Sequence, residues 1–151
     1  MFNVNMLDMA GHLIRRLNQI STTVFSQRLQ EAGYDLTPVQ YAAMQTLFDH
    51  PDLEQAQIAA KIAYDRATIG GVIDRLEQKG FISRRTSSRD RRARECRLTR
   101  KGKNLVEKVT PLVESLQQEI LSGLTRDEYA QFLALAQKAV TLYQFEKAER
   151  K

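Results

Sequence analysis

The sequence predicts a mainly α-helical protein with one small β-hairpin. Apolar residues recur every three or four positions through most of the 151 residues, as in amphipathic helices. The periodicity changes only between about Phe81 and Leu98, where two short extended segments flank a polar, arginine-rich loop. With 42% apolar residues, a chain of this length can bury one core, so residues 1–151 are expected to form a single domain.

The first four helices are predicted from apolar stripes and capping residues. A stripe over residues 13–24 indicates a long first helix that ends near Gly33. Thr37 is followed directly by proline and, three residues after the cap, by glutamine, which is typical of a helix start. A turn and a short helix follow within residues 50–65, and the aspartate that ends this segment can cap a further helix, Arg66–Lys79.

The remaining elements are a hairpin and two more helices. Strands are predicted at roughly Phe81–Thr86 and Arg94–Leu98. Thr99 can cap a helix with apolar positions over residues 105–120, and a capping box at Thr125–Glu128 begins the last helix. Two helices in succession, a third of about four turns and then a hairpin follow the order of a winged helix-turn-helix.

Positive charge is concentrated in the predicted hairpin. Residues 84–103 contain eight Arg and two Lys against two acidic residues, a net charge of +8, whereas the whole chain carries +5. The rest of the chain is therefore acidic on balance, and the local excess predicts a surface for nucleic acid. A wing held by two strands fixes these arginines in space, which a flexible tail does not.

The helix before the hairpin is predicted to present its outer face to DNA. Its inward stripe runs from Ile69 to Leu76, which leaves the other positions free to enter a major groove. In the wing, arginines are candidates for phosphate or minor-groove contacts, and Asp90 is expected to orient an arginine. The predicted DNA-binding residues are Arg66, Thr68, Gly70, Gly71, Asp74, Arg75, Arg89, Arg91 and Arg92.

Three segments carry a family resemblance. They are AYDRATIGGVIDRLEQKGFISRR (63–85), RDRR in the wing (89–92) and LTRKG after it (98–102). Together they closely resemble the MarR (multiple antibiotic resistance regulator) family of bacterial transcription factors. One departure is that many members have Asp-Pro at the start of the wing loop, where this chain has Ser87 and Ser88. The wing turn is therefore expected to differ in shape.

The resemblance implies a homodimer with a DNA-binding lobe over residues 36–100 and dimerisation helices in residues 1–33 and 101–151. The long apolar stripes of the flanking helices agree with this, because those helices have no lobe of their own to cover. A two-fold dimer places two recognition helices about one turn of DNA apart. We therefore expect a repressor that binds a pseudo-palindromic, double-stranded operator.

The resemblance also implies a small effector, commonly a phenolic compound or an aromatic carboxylate, in the crevice between the dimerisation helices and the DNA-binding lobe. Cationic residues three and four positions apart on the first helix could converge on a carboxylate, although an exposed face or an ion pair within the dimer is the alternative. Apolar residues of the second helix could enclose a ring, or belong to the core. The candidate effector residues are His12, Arg15, Arg16, Tyr41, Met44 and Phe48.

Two other functions remain open at the level of sequence. Arg94 and Arg97 flank the only cysteine, Cys96, which permits a redox-sensing repressor, although an inert packed thiol is preferred. A nonspecific architectural DNA-binding protein is the second alternative. With two histidines and one cysteine, the chain offers no catalytic triad and no metal set, so neither an enzyme nor a cofactor is expected. A single cysteine, no secretory signal and no membrane segment predict a cytoplasmic protein.

Overall fold

The computed structural model of the protein describes residues 5–149. Over this range the chain is mainly helical with a small antiparallel sheet, which confirms the predicted fold class. A 3-10 turn at Met6–Asp8 precedes the main elements. These elements are, in chain order, α1 (Ala10–Glu31), α2 (Pro38–Asp49), β1 (Leu53–Glu54), α3 (Gln55–Lys61), α4 (Arg66–Gln78), β2 (Ile82–Thr86), β3 (Arg94–Leu98), α5 (Arg100–Ile120) and α6 (Arg126–Glu149).

The described chain forms two compact units, one up to Leu116 and one from Gln117 onward. The first unit contains α1 to α4, the sheet and most of α5. The second contains the end of α5 and α6, and none of the described residues of α6 is buried. Within the described range, no helix is both long enough and apolar enough to cross a membrane. The core of the first unit includes the fully buried side chains of Leu29, Met44, Ile58, Ile69, Ile73, Leu76, Cys96 and Val109.

The helices begin where their capping residues predict. The Thr37 hydroxyl accepts the Gln40 backbone N–H at 3.2 Å, and the Gln40 side chain accepts the Thr37 N–H at 3.1 Å. Asp65 accepts the backbone N–H of Thr68 at 2.7 Å. The capping box at Thr125–Glu128 closes with bonds of 2.7 and 3.3 Å. These bonds satisfy N–H groups that have no partner inside their helices.

Helices α1 and α4 each end before a glycine in the left-handed region. Gly33 has φ 84° and Gly80 has φ 80°, conformations that cost glycine little. Beyond Gly80, the Phe81 N–H donates to the carbonyl of Leu76 at 3.0 Å and thereby closes α4. Because Phe81 belongs to this helix end, β2 begins at Ile82, one residue later than predicted.

The sheet contains a third strand that the sequence does not predict. The two-residue strand β1 pairs antiparallel with β3, placing Leu53 opposite Cys96, and the strand order is β1-β3-β2. Strands β2 and β3 form the predicted hairpin, with Arg85 opposite Glu95. Residues 87–93 connect them and are called the wing loop below. The sheet therefore joins the wing to the segment that precedes α3.

The first turn of α5 is tied to the end of α4 and the start of β2. As predicted, Thr99 caps α5, since its hydroxyl accepts the Gly102 N–H at 3.0 Å. The same hydroxyl donates to the Gly80 carbonyl at 2.6 Å. A Cβ atom at Gly102 would overlap the carbonyl oxygen of Phe81, so only glycine permits this approach. This contact explains the glycine of the LTRKG segment.

Candidate nucleic-acid interface

Helix α4 divides into a buried face and an open face, as its stripe predicts. Ile69, Ile73 and Leu76 are fully buried against the lobe. Gly70 is half-buried, and a Cβ atom there would lie 3.9 Å from the Gln55 amide nitrogen, in ordinary contact with α3. Of the predicted DNA-binding positions on this helix, those that are exposed are Arg66, Thr68, Gly71, Asp74 and Arg75.

One exposed hydroxyl on this face already has a hydrogen-bond partner. Thr68 Oγ1 donates its proton to Asp65 Oδ2 at 2.8 Å, so outward it offers only lone pairs. The backbone and hydroxyl hydrogen bonds from Thr68 hold the pKa of Asp65 below its ordinary value. The start of α4 is therefore fixed in the form that presents Arg66 and Thr68 to solvent.

Arg84 of β2 connects the wing to α4, a role that the sequence does not indicate. Its side chain is only 14% exposed, and its Nη2 atom lies 2.7 Å from Asp74 Oδ1 and 2.8 Å from Glu77 Oε1. Its Nη1 atom donates to the Gln55 side chain at 3.1 Å. The hydrogen bond from Arg84 lowers the pKa of Glu77. Asp74 thus faces solvent while its carboxylate holds the wing strand.

The wing loop exposes the three arginines that the sequence predicts to bind DNA, namely Arg89, Arg91 and Arg92. Asp90 Oδ1 accepts the backbone N–H of Arg92 at 2.9 Å. Asp90 therefore contacts Arg92 through the backbone of the turn, and its role in orienting an arginine stays a prediction. The loop presents three positive charges on a short, internally hydrogen-bonded turn.

Ser87 closes the wing turn through its side chain. Its side chain is buried, and its Oγ atom accepts the N–H groups of Arg89 at 3.2 Å and Asp90 at 3.4 Å. An aspartate at the start of such a turn accepts the same kind of bond. The hydroxyl therefore keeps the side-chain cap of the turn, although the Asp-Pro pair is absent.

Two other arginines of the hairpin, Arg85 and Arg97, are exposed but paired with acidic residues of the same lobe. Arg85 Nε donates to Glu95 at 3.1 Å, and Arg97 forms two bonds of 2.7 Å to Asp52. The hydrogen bonds from Arg97 hold the pKa of Asp52 below its ordinary value. Together with Arg84, these pairs neutralise part of the local charge. The net charge of residues 84–103 consequently overstates the charge that is free to meet an external anion.

A groove of about 550 Å³ separates the start of α4 from the wing loop. Arg66 lines it from α4, and Arg92 and Arg94 line it from the wing. Glu54 and Asp90 are also in its wall, so its charge is mixed. Arg66 of α4 and Arg92 of the wing loop border the same groove. The exposed face of α4 and the wing loop are therefore neighbouring parts of one candidate surface.

The structure brings together only part of the predicted effector site. Arg15 Nη2 lies 3.0 Å from His12 Nδ1, whereas Arg16 contacts Gln19 at 3.5 Å. On the second helix, the Tyr41 ring packs on Phe25 with centroids 6.1 Å apart. Phe25 is ten residues beyond Arg15, about 15 Å further along α1. Within one chain, His12 and Arg15 are therefore too far along α1 to contact the same small ligand as Tyr41.

The proposed ring-binding residues differ in accessibility. Met44 is fully buried in the core, while Phe48 is 40% exposed. The Tyr41 hydroxyl lies 3.0 Å from Thr110 Oγ1 and donates to the Gln45 side chain at 3.1 Å. Of these three residues, Tyr41 and Phe48 are the ones with surface left to meet a ligand.

Cys96 has the environment of a packed thiol. It is fully buried opposite Leu53 and Arg84, and burial raises the pKa of the thiol to about 11. The positive charge of Arg84 opposes this rise without cancelling it. Within residues 5–149, no group of three or more His, Cys, Asp or Glu side chains could hold a metal ion.

A helix-turn-helix with an open second helix and a basic hairpin beside it defines the winged helix-turn-helix class of DNA-binding proteins. A model of the MarR family matches residues 36–93. Transcriptional regulator HosA of Escherichia coli O157:H7 is 30% identical over 129 residues, which cover 85% of this chain and 93% of HosA. The chain belongs to the MarR family, whose members are DNA-binding transcriptional regulators.

Solved structures of relatives agree over nearly the whole chain. BpsR of Bordetella bronchiseptica, whose DNA binding is regulated by 6-hydroxynicotinic acid, superposes with a TM-score of 0.84 at 28% identity, covering 91% of this chain and 96% of BpsR. PcaV of Streptomyces coelicolor, solved with its natural ligand, has a TM-score of 0.82 at 28% identity, covering 93% and 98%. The similarity therefore includes the long helices that flank the lobe.

Proposed function

We propose that the protein is a homodimeric repressor that binds a pseudo-palindromic operator and is released from it by a small aromatic acid or phenolic compound. The observation that carries the DNA-binding part is the shared surface of α4 and the wing loop. On it, Arg66, Arg75 and three loop arginines are exposed, while Arg84, Arg85 and Arg97 are paired internally. In this arrangement α4 enters the major groove, and the loop arginines contact flanking phosphates or the minor groove.

The salt dependence of operator binding tests this assignment. Removal of one arginine–phosphate interaction should reduce the slope of log K against log salt by about 0.9. Arg91→Ala and Arg92→Ala should therefore weaken binding and flatten the slope, whereas Arg126→Ala on α6, with the same change of charge, should change neither. Equal affinity of the parent for operator and random DNA would instead favour the architectural alternative.

Gly71 gives a second test of the same surface. A Cβ atom at this exposed position would meet nothing within 4 Å, so nothing in the chain itself requires glycine. Alanine should stabilise the helix by up to about 1 kcal/mol. If the DNA backbone lies against this position, Gly71→Ala should weaken operator binding despite the gain in stability. An unchanged affinity would place the DNA elsewhere on α4.

The dimer is proposed from apolar side chains that the chain itself leaves uncovered. On α1, Leu13 is 49% and Ile14 is 66% exposed. On α6, Tyr143 is 68% and Phe145 is 66% exposed. Burial of such a surface in a second copy favours association. A chain truncated before Thr125 lacks α6 and should not accumulate as soluble protein. A well-folded, monomeric truncation would contradict the proposal.

For the effector, we propose that His12 and Arg15, with Arg16 beside them, bind the carboxylate. Tyr41 and Phe48 would contact the ring. Because one chain places the cluster about 15 Å along α1 from the Phe25–Tyr41 contact, we infer that the dimer completes the site. A tenfold loss of DNA affinity requires a preference of about 1.4 kcal/mol for the released dimer.

Release of operator DNA by 6-hydroxynicotinic acid and by benzoate tests the effector class, with benzamide as the matched neutral compound. The acids should release DNA and benzamide should not, because only the acids supply a carboxylate. Arg15→Ala and Arg16→Ala should bind operator normally but need more ligand for release. If both variants respond at the parent's ligand concentration, the carboxylate is bound elsewhere.

A further inference from the structure

The base of the wing loop contains a buried polar cluster that the DNA-binding surface does not itself use. Ser87 is 4% exposed and Glu95 is 9% exposed. The Ser87 hydroxyl lies 3.3 Å from Glu95 Oε1 and 3.4 Å from Glu54 Oε1. It also accepts the two N–H groups of the turn described above. One hydroxyl thus contacts both the loop backbone and two carboxylates.

The second carboxylate oxygen of Glu95 is bound by Arg85. This Oε2 atom accepts Arg85 Nε at 3.1 Å, and Arg85 Nη2 also lies 3.7 Å from Asp52. Asp52 is in turn bound by Arg97 through both carboxylate oxygens. A continuous series of contacts therefore runs from the segment before β1, across β3 and β2, to the first residue of the wing loop.

Hydrogen bonds inside the loop also hold its turn: the Ser87 N–H donates to the Ala93 carbonyl at 3.0 Å, and the Arg92 N–H donates to Asp90 Oδ1 at 2.9 Å. The loop carries three arginines within four positions, and their mutual repulsion favours spreading. Inside the loop, the Ala93 N–H donates to the Asp90 carbonyl at 3.0 Å. The Ser87 side chain joins this turn to two carboxylates of the sheet, those of Glu54 in β1 and Glu95 in β3.

We propose that Ser87, anchored by Glu95, is a positioning residue for DNA binding: it holds the wing loop so that Arg89, Arg91 and Arg92 meet the DNA together. This inference rests on the proposed function. The hydroxyl is suited to the place because it accepts from backbone N–H groups and donates to a carboxylate. Aspartate would accept the same N–H bonds but would bring a third carboxylate next to Glu54 and Glu95.

The test compares substitutions that keep or remove the hydroxyl without changing charge. Ser87→Ala should weaken operator binding about tenfold, as expected for a misplaced charge-assisted interaction, and should flatten the salt slope by the equivalent of about one phosphate. Ser87→Thr should restore both values. Ser88→Ala is the matched control, because Ser88 is the exposed neighbour, and it should behave as the parent.

A double-mutant cycle separates positioning from a general loss of stability. In a background with Arg89, Arg91 and Arg92 all changed to Ala, Ser87→Ala should have no further effect on DNA affinity, because the groups it positions are absent. The same tenfold loss in that background would overturn the proposal. So would parent-like affinity and slope in Ser87→Ala itself. If the triple-Ala protein binds DNA as well as the parent, the proposed wing function fails, which is a distinct outcome.

A second pair of variants keeps the proposal testable if Ser87→Ala does not fold. Ser87→Asn can accept from backbone and donate to a carboxylate, whereas Ser87→Asp can only accept. Asn should retain binding and slope. Asp should weaken binding more than Ser88→Asp, which adds the same charge at the exposed neighbour. Equal losses for the two Asp variants, or a loss with Asn as large as with Asp, would contradict the assignment.

Discussion

Arg84 Nη2 lies 2.7 Å from Asp74 Oδ1, and this contact joins the first wing strand to the exposed face of α4. The same guanidinium group binds Glu77 and Gln55, so it connects three elements of the lobe. The two surfaces that we propose to contact one DNA duplex are thereby held at a fixed separation. The wing and α4 should therefore respond to substitution as a unit.

Replacement of Arg84 by alanine should destabilise the lobe by about 1–3 kcal/mol, since it removes a largely buried side chain together with its bonds to Asp74, Glu77 and Gln55. Arg84→Lys should recover only part of this, because lysine lacks the planar fork that reaches several acceptors. Urea unfolding measures both. Arg75→Ala, on the exposed face of α4, is the control and should change stability by less than about 0.5 kcal/mol. Equal stability of the parent and Arg84→Ala would contradict a stabilising role for the Arg84 contacts.

Acid should weaken the lobe in a way that depends on Glu77. Its pKa is lowered by the hydrogen bond from Arg84, so the stabilisation is complete above the ordinary carboxyl pKa and is lost as pH falls through the lowered value. The free energy of unfolding should thus decrease below about pH 4. Urea titrations across this range should show a smaller decrease for Glu77→Gln than for the parent. Glu146→Gln on α6 should keep the parent's profile, and identical profiles for all three would refute the linkage.

Gly102→Ala should be one of the most damaging single substitutions in the chain. The new methyl group would overlap the Phe81 carbonyl, and relief requires α5 to move away from β2. We expect a loss of about 2–3 kcal/mol, at the upper end for overpacking. Gly123→Ala is the control, since a Cβ atom there meets nothing within 4 Å. Thermal unfolding of both variants distinguishes a local clash from a general effect of alanine.

Cys96 should be chemically inert in the folded protein. With the pKa of the thiol raised to about 11, the thiolate is scarce near neutral pH, and the side chain is fully buried. Iodoacetamide should therefore modify Cys96 in urea but not in buffer near neutral pH, and peroxide should leave operator affinity unchanged. Rapid native modification with loss of DNA binding would instead support the redox-sensing alternative.

The features that could be predicted from the sequence are those that depend on neighbouring residues. Thr37, Asp65 and Thr125 cap their helices because each bond spans only three positions. The cross-strand pair of Arg85 and Glu95 also follows from a symmetric hairpin, once its two strands are placed.

The features that could not be predicted depend on contacts between distant segments. Strand β1 has two residues and no periodicity, so only its pairing with β3 defines it. The bonds of Arg84 to α4 and α3 likewise have no local signal. Burial of Ser87 arises because β1 brings Glu54 beside the hairpin. The effector site is the least predictable, because its candidate residues do not converge within one chain.

The close packing of Gly102 against Phe81 affects how α5 can move relative to the DNA-binding lobe. Two contacts join the first turn of α5 to the end of α4 and the start of β2. The Thr99 hydroxyl bonds to the Gly80 carbonyl, and Gly102 packs closely against Phe81. Because these contacts join the three elements, a displacement of the start of α5 should also move α4 and the wing. Such a displacement should move the DNA-binding lobe as one body and leave the contacts within the lobe unchanged. In the proposed homodimer, an effector that displaces α5 should therefore change the distance between the two lobes, while each lobe keeps its shape.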